Sequence, residues 1–192
     1  SFYADEWSQV VLAQDVQNLV SYSHAKRLGR GVRLNRRQRI EVWNVVERYR
    51  QILKSMRVRD VDFAMDECAK LVGHAHPEGL YEYIIVDEGQ DFSAPAYRLV
   101  RALAGSEHQN DIFIVGDAHQ RIYGRRTVLS QCGIRIVGRG SKLRINYRTT
   151  DEIRRCATAV LEGIRFDDLD GGNDDSKSQS LLHGTNPEIV GF

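Results

Sequence analysis

The chain has 192 residues, 42% of them hydrophobic, and a formal net charge of +1 at pH 7. This length and hydrophobic content are sufficient for the buried core of one large domain, or of one domain with a small appendage. No apolar run is long enough to span a membrane and no secretory signal opens the chain, so we expect a soluble cytoplasmic or nucleoid protein. The three scattered cysteines match neither a disulfide framework nor a close-spaced metal site, and buried thiols in a reducing compartment are expected.

Residues 1–75 are predicted to form an all-helical subdomain. Apolar spacing over residues 5–29 suits one broken helix or two short ones. The longest predicted helix begins at Asn35, which can cap it together with Gln38. Its apolar residues recur every three or four positions and are therefore predicted to share one face of the helix. They are Ile40, Trp43, Val46, Tyr49, Leu53 and Met56. A shorter helix is expected over residues 62–72, ending at Gly73.

The charge of this subdomain is uneven. Residues 26–59 contain 12 lysines and arginines against two glutamates, a local balance of +10. An excess of this kind indicates a polyanionic partner, such as nucleic acid. The alternative is an ordinary solvated helix face.

From residue 76 the pattern becomes that of an α/β domain, which we expect to extend to residue 163. Strands are predicted at residues 83–87, 112–115, 134–137 and 143–145. The apolar run Ile84-Ile85-Val86 is typical of a strand buried on both faces of a parallel sheet. Ser93 and Pro95 open a helix that stops at Gly105, and Thr149 or Thr150 caps another.

The rest of the chain is predicted to carry less structure. Residues 164–186 are rich in Asp, Gly and Ser, a composition typical of a flexible linker. Residues 187–192 are expected to be a lone strand that begins a further domain.

Polar motifs follow the predicted strands. The first is Asp87-Glu88-Gly89-Gln90, the second is Gly-Asp-Ala-His-Gln-Arg-Ile-Tyr-Gly-Arg-Arg at 116–126, and the third is Asn-Tyr-Arg-Thr at 146–149. Ligands of open α/β sheets lie at the carboxyl ends of the strands. Asp87 offers a hard oxygen to Mg²⁺, and Glu88, on the other side of the strand, could orient a water. The alternative is an acidic turn that caps the next helix.

In this order and spacing, the three motifs resemble the second, third and fourth conserved motifs of the UvrD/Rep-type superfamily-1 DNA helicases. The resemblance covers residues 81–163 and extends to the helical segment, which lies where that family inserts a helical subdomain. It implies a partial RecA-like (P-loop NTPase) parallel sheet preceded by this insertion. It also implies an ATP-dependent DNA helicase or translocase that uses ATP and Mg²⁺ and moves on single-stranded DNA.

The resemblance assigns five residues to ATP chemistry. Asp87 would coordinate Mg²⁺, and Glu88 would activate the water that attacks the γ-phosphate. Gln90 and Gln120 would lie near that phosphate and couple its presence to the DNA-binding groups. Arg148 would act as an arginine finger that stabilises the transition state. Alternatively, Arg148 pairs with Glu152 one helical turn away, and Gln120 bonds only to backbone in a turn.

Four further residues are assigned to ligand contacts. Tyr147 would stack on the adenine, and Tyr123 would stack on bases of single-stranded DNA, although both could be ordinary half-buried aromatics. Arg125 departs from the family, which often has an aromatic there, but a guanidinium can also stack on a base. Arg126 matches the family's arginine and would contact a phosphate or a carboxylate.

A Gly-Lys pair, which ends the phosphate-binding loop of such motors, does not occur in the sequence. The chain is therefore expected to be an internal fragment of the first motor domain, inactive by itself and dependent on the missing parts of the same motor. The alternative is a non-catalytic nucleic-acid-binding or protein-interaction module derived from a helicase motor domain.

Overall fold

The computed structural model describes residues 1–27, 30–117, 120, 127–160 and 178–188. The chain divides into two compact units, Ser1–Arg135 and Ile136–Phe192. In the first unit, the helical part comprises α1 (Phe2–Glu6), a π-helical segment (Trp7–Leu12), α2 (Leu19–His24), α3 (Arg36–Met56) and α4 (Val61–Ala75). The α/β part comprises β1 (Ile84–Val86), a short 3₁₀ turn (Gly89–Asp91), α5 (Ala94–Ala104), β2 (Ile112–Ile114) and a second 3₁₀ turn (Leu129–Cys132).

The helix ends follow local capping chemistry. The Asn35 side chain accepts from the Gln38 backbone N–H at 2.9 Å and the Gln38 side chain accepts from the Asn35 N–H at 3.0 Å, which confirms the predicted capping box. Ser93 caps α5, and Gly105, at φ +72°, ends it as predicted. The predicted end of α4 at Gly73 is wrong, because helical hydrogen bonding continues until the His76 N–H donates to the Val72 carbonyl at 2.7 Å.

The helical core is built on α3 and the π-helical segment. Its members include Trp7, Val10, Val11, Tyr22, Trp43 and Val46. The predicted buried face of α3 was too wide, since Ile40, Tyr49 and Met56 are exposed. The reason is geometric: each step of three residues rotates the face by about 60°, so a series of such steps drifts around the helix. Val42, which the prediction omitted, is buried in their place.

Several arginines of the basic stretch point into the helical unit. Glu6 is fully buried and accepts from the Tyr22 hydroxyl at 2.6 Å and from Arg27 Nε at 2.7 Å. Burial by itself would raise the pKa of Glu6, but the hydrogen bonds from Arg27 and Tyr22 hold that pKa below its usual value. Arg39 donates to the Tyr22 carbonyl at 2.6 Å and Arg50 to the Val16 carbonyl at 2.8 Å. Part of the local positive charge therefore satisfies internal carbonyls and carboxylates rather than an external polyanion.

Asp66 joins the helical part of the first unit to α5. Arg98 Nη2 donates to Asp66 Oδ1 at 2.7 Å and to the Leu12 carbonyl at 2.6 Å, and Lys70 Nζ donates to Asp66 Oδ2 at 2.7 Å. Burial acts to raise the pKa of Asp66, but the hydrogen bonds from Lys70 and Arg98 lower it overall. The buried carboxylate is thus held as an anion that binds Arg98 of α5, and Arg98 in turn fastens α5 to the π-helical segment through the Leu12 carbonyl.

β1 and β2 pair in parallel with Ile84 opposite Ile112 and Val86 opposite Ile114, and α5 is the crossover between them. Val86 is buried, whereas Ile85 is 77% exposed and Phe113 is 62% exposed. The prediction that this strand is buried on both faces is therefore wrong for the described part of the chain, because successive side chains alternate and one face is left uncovered.

The second unit contains β3 (Ile145–Thr150), α6 (Asp151–Val160) and β4 (Gln179–Leu182), with β3 and β4 parallel. β3 begins at the end of the strand predicted over 143–145, so the third motif lies within a strand. β4 falls in the range predicted as a linker. No strand forms at the predicted 134–137, where Ile134 N–H instead closes the 3₁₀ turn on the Leu129 carbonyl at 3.0 Å. Residues 187–188 are irregular and 189–192 lie outside the described residues.

No described helix combines the length and the apolar character needed to cross a membrane.

Candidate functional site

The first and second motifs run side by side beyond the ends of β1 and β2. The Val115 N–H donates to the Val86 carbonyl, and the Gly89 N–H donates to the Val115 carbonyl, both at 2.8 Å. Because parallel strands end at the same edge of a sheet, residues 87–92 lie beside residues 115–117 and 120 at the edge where α/β proteins bind ligands. We call residues 87–92 with 115–117 and 120 the loop pair.

Gln90 connects the two loops. Its side chain is buried, and both ends of its amide are used: Nε2 donates to Glu88 Oε2 at 2.7 Å, and Oε1 accepts from the Asp117 N–H at 2.9 Å. A buried amide with both ends paired has one stable orientation. Gln90 therefore holds the Glu88 carboxylate in place and ties it to the backbone of the second motif.

Glu88 has an uncommon backbone conformation. It lies in the left-handed region, at φ 51° and ψ 39°, and its N–H donates to Asp87 Oδ1 at 2.8 Å. A non-glycine residue in this region costs about 1–2 kcal/mol, so the surrounding contacts must impose it. The side chains of Asp87 and Glu88 are both exposed at the sheet edge, which leaves their carboxylates accessible to a ligand.

Two glycines allow the loops to approach this closely. A Cβ on Gly89 would lie 2.6 Å from both Ile114 Cγ2 and the Tyr97 hydroxyl oxygen. A Cβ on Gly116 would lie 2.7 Å from Gln90 Oε1, which is the atom that receives the Asp117 N–H. Each glycine is required because a larger residue would separate the loops or displace Gln90.

The second motif contributes Asp117 and Gln120 to the loop pair. Gln120 Nε2 donates to Asp117 Oδ2 at 2.9 Å, so the Gln120 side chain binds a carboxylate and not only the backbone of a turn. The structure thus brings four predicted site residues into one unit, namely Asp87, Glu88, Gln90 and Gln120.

Sequence reasoning missed two supporting residues. Asp117 lay inside the second motif but was assigned no role, although an acidic residue directly after a strand end is the signal that singled out Asp87. Tyr97 is fully buried, and its hydroxyl donates to the Gly89 carbonyl at 2.6 Å. A tyrosine in the first turn of the helix after the motif is a weaker signal, since its burial depends on tertiary packing.

The loop pair offers oxygen ligands suited to a hard cation. Among the residues that the structure describes, no group of three or more His, Cys, Asp or Glu side chains is arranged to hold a metal ion. Mg²⁺ is commonly held by one or two carboxylates, with waters and substrate phosphates completing its coordination. An exposed Asp87 carboxylate fits that mode of binding.

The third motif lies in the second unit. Asn146 organises it, because its Oδ1 accepts from the Arg148 N–H at 2.8 Å and its Nδ2 donates to Thr149 Oγ1 at 2.7 Å. Tyr147 and Arg148 are exposed, so Tyr147 is not the half-buried aromatic of the alternative interpretation. Glu152, the partner considered for Arg148, accepts from the Gly184 N–H at 2.9 Å.

Three predicted site residues, Tyr123, Arg125 and Arg126, lie outside the described residues. Their assigned contacts with single-stranded DNA and phosphate remain predictions.

Residues 5–130 match the model of the UvrD/REP helicase N-terminal domain. The chain is 26% identical over 198 residues to an ATP-dependent helicase/nuclease subunit from Lactobacillus helveticus, and 25% identical over 195 residues to the protein of the same name from Lactobacillus acidophilus. Each alignment covers 96% of this chain, which spans only 16% of the relative. A probable DNA helicase from Mycoplasma pneumoniae is 41% identical over 70 residues, 34% of this chain and 13% of that protein. The family match covers most of the chain and includes the loop pair, and we conclude that the chain belongs to the UvrD/REP helicase family.

Proposed function

We propose that this chain is part of the first motor domain of a DNA helicase that couples ATP hydrolysis to movement along single-stranded DNA. Two relatives are named as ATP-dependent helicase/nuclease subunits, which supports the use of ATP. The observation that carries the proposal is the Gln90 amide, which joins an exposed, oriented Glu88 carboxylate to the backbone of the second motif. A RecA-like sheet, of which β1 and β2 would be two strands, is part of this proposal.

The residues of the loop pair divide the work of hydrolysis. Asp87 would hold Mg²⁺, whose charge offsets that of the triphosphate. Glu88 would orient the attacking water and accept its proton, and Gln90 fixes the direction in which that carboxylate points. Gln120, which donates to Asp117, would lie near the γ-phosphate and couple its presence to movement of the DNA-binding groups of the second motif.

The remaining assignments rest on the family resemblance. In the second unit, Arg148 would stabilise the charge that develops on the γ-phosphate, and Tyr147 would stack on adenine. Tyr123 and Arg125 would contact single-stranded DNA, and Arg126 would contact a phosphate. We further propose that the isolated 192-residue chain binds nucleotide poorly and does not hydrolyse it.

The decisive test is Glu88→Gln in the full-length parent protein. Loss of a general base should lower DNA-stimulated ATP turnover by about 10²- to 10⁴-fold. ATP affinity should change little, because the neutral amide has nearly the same shape. Glu82→Gln is the matched control, since Glu82 is also exposed but precedes β1, where its carboxylate accepts from the neighbouring Tyr83 hydroxyl.

Either of two results would contradict the proposal. Turnover that survives Glu88→Gln would mean that another group activates the water. Steady hydrolysis by the purified 192-residue chain, abolished by the same substitution, would mean that the chain is active without the rest of the motor.

A second candidate is a non-catalytic module that binds nucleic acid through exposed arginines, namely Arg33 just before α3 and Arg36 and Arg37 in its first turn. Phosphate contacts weaken steeply as salt rises. Titration of labelled single-stranded DNA at two salt concentrations, with and without ATP, separates the candidates. Salt-sensitive binding that ignores ATP in the parent would favour the module.

A further inference from the structure

Gly89 lies in the middle of the first motif, and the peptide groups on both of its sides are held by hydrogen bonds. Its N–H donates to the Val115 carbonyl at 2.8 Å. Its carbonyl accepts twice, from the Phe92 N–H at 3.1 Å and from the Tyr97 hydroxyl at 2.6 Å. A carbonyl oxygen has two lone pairs, so these two donors use its full capacity. Tyr97 belongs to α5 and reaches this carbonyl from outside the loop pair.

The Tyr97 side chain is anchored in α5. Its N–H donates to the Ser93 carbonyl at 3.0 Å in the first turn of that helix. Its ring is fully buried and packs against Phe92, with the two ring centroids 5.5 Å apart. α5 is itself fastened to the helical part of the unit, because Arg98 donates to the Leu12 carbonyl. The hydroxyl is therefore a fixed point against which the first motif is placed.

The hydroxyl of Tyr97 is not needed to fill space. A phenylalanine ring at this position would bury the same aromatic surface without a polar atom, and buried polar atoms are tolerated only when they are hydrogen-bonded. What the hydroxyl adds is the contact with the Gly89 carbonyl. This contact lies in the motif that carries the proposed general base, Glu88.

The contact reaches Glu88 through Gln90. The Gly89 carbonyl and the Gln90 N–H belong to one planar peptide group, so fixing the carbonyl fixes the plane from which the Gln90 side chain starts. The buried Gln90 amide donates to Glu88 Oε2 at 2.7 Å. A rotation of the peptide would carry this donor away from the carboxylate. The Tyr97 hydroxyl thus bears on the direction of the Glu88 carboxylate.

The backbone at Glu88 needs support of this kind. Its φ of 51° lies in the left-handed region, which residues with a side chain rarely adopt. A residue keeps such a conformation only when surrounding contacts impose it. Val115 and Tyr97 supply two of these contacts, both at the adjacent Gly89. Loss of either contact leaves the turn freer to relax.

We propose that Tyr97 is a positioning residue for ATP hydrolysis. It acts through the Gly89–Gln90 peptide to hold the Glu88 carboxylate in the direction that the attacking water requires. This inference rests on the proposed function, in which Glu88 is the general base. Tyr97 is fully buried, so its effect is on the geometry of Glu88 and not on contact with the nucleotide. A displacement of about 1 Å at a reacting group costs up to about 100-fold in rate.

The test is Tyr97→Phe in the full-length parent, measured as steady-state ATP turnover at saturating single-stranded DNA. kcat should fall by about 10- to 100-fold, and KM for ATP should stay nearly unchanged, because the lost contact serves the transition state and not substrate binding. Tyr22→Phe is the matched control. Tyr22 is also fully buried and its hydroxyl also donates over 2.6 Å, but to Glu6 in the helical part, so kcat should not change. Circular dichroism at the assay temperature verifies that both variants are folded.

A double substitution tests the route through Glu88. If Tyr97 acts by orienting that carboxylate, Tyr97→Phe should add no further loss to that of Glu88→Gln. Normal turnover of Tyr97→Phe, an equal loss in Tyr22→Phe, or a loss that multiplies with that of Glu88→Gln would each overturn the inference and leave the proposed role of Glu88 intact. Turnover that survives Glu88→Gln would instead refute the proposed function, and the inference with it.

The structural step can be measured without ATP. In the ¹⁵N-labelled 192-residue chain, Tyr97→Phe should shift the NMR signals of the Gln90 side-chain NH₂ group and of the Asp117 N–H, which donates to Gln90 Oε1 at 2.9 Å. Tyr22→Phe should leave these signals in place. Unchanged Gln90 and Asp117 signals in Tyr97→Phe would overturn the inference, whatever the turnover of the parent.

Discussion

Replacing Gly89 by alanine tests whether the two loops are held together as described. An added Cβ would lie 2.6 Å from Ile114 Cγ2 and from the Tyr97 hydroxyl oxygen, whereas non-bonded carbon atoms prefer about 3.5–4.0 Å. The backbone or both neighbours must move by about 1 Å, and overpacking of this kind costs about 1–3 kcal/mol. Weakening the 2.6 Å hydrogen bond from Tyr97 to the Gly89 carbonyl adds about 1 kcal/mol. We therefore expect Gly89→Ala to lower the free energy of unfolding by about 2–4 kcal/mol.

Urea denaturation followed by tryptophan fluorescence measures this loss, because both tryptophans, Trp7 and Trp43, lie in the first unit. Gly73→Ala is the matched control. Gly73 lies inside α4 with nothing within 4 Å of an added Cβ, so alanine should stabilise the helix by about 0.5–1 kcal/mol. Equal stability of Gly89→Ala and the wild-type chain would refute the close packing of the loop pair.

Three further predictions concern buried groups. The free energy of unfolding should fall as the pH drops below about 4, because the lowered pKa of Asp66 means that its carboxylate stabilises the fold above that pH and loses this effect once protonated. Asp66→Asn should therefore reduce the decline of the unfolding free energy at low pH. A variant with the same pH profile as the wild-type chain would contradict the pairing of Asp66 with Lys70 and Arg98. Tyr22→Phe removes a 2.6 Å hydrogen bond to buried Glu6 and should destabilise the chain by about 1–3 kcal/mol in urea, so a loss near zero would be unexpected. Iodoacetamide should alkylate exposed Cys68 and spare Cys132, whose buried thiol has a pKa raised to about 11; equal labelling by mass spectrometry would be inconsistent with that burial.

Features that depend on neighbours in sequence were predicted well. The capping box of Asn35 and Gln38, the Ser93 cap and the Gly105 end of α5 each involve residues within a few positions of each other. Local chemistry was sufficient in these cases because each cap satisfies backbone groups of its own helix. The order of β1, α5 and β2 followed from the same kind of signal.

Features that depend on tertiary contacts were predicted less well. Sequence placed Asp87, Glu88, Gln90 and Gln120 at strand ends, and the structure brings these residues together in the first unit. The sequence did not reveal that the Gln90 side chain is buried and pairs with Glu88 and the Asp117 backbone. Which of several adjacent polar side chains is buried depends on what packs over it, and this information lies in other segments of the chain. The same limitation explains the missed role of Tyr97.

The two ends of the Gln90 amide are not interchangeable, because one end donates to Glu88 and the other accepts from the Asp117 N–H. A half-turn of the amide would put its oxygen against the Glu88 carboxylate and its NH₂ group against the Asp117 N–H, replacing two attractive contacts with two repulsive ones. The Gln90 side chain therefore has one orientation in which both ends of its amide are hydrogen-bonded. We expect a ligand that moves the Glu88 carboxylate to loosen its hydrogen bond from Gln90 Nε2 and, through the Gln90 amide, to shift the contact between Gln90 Oε1 and the Asp117 N–H.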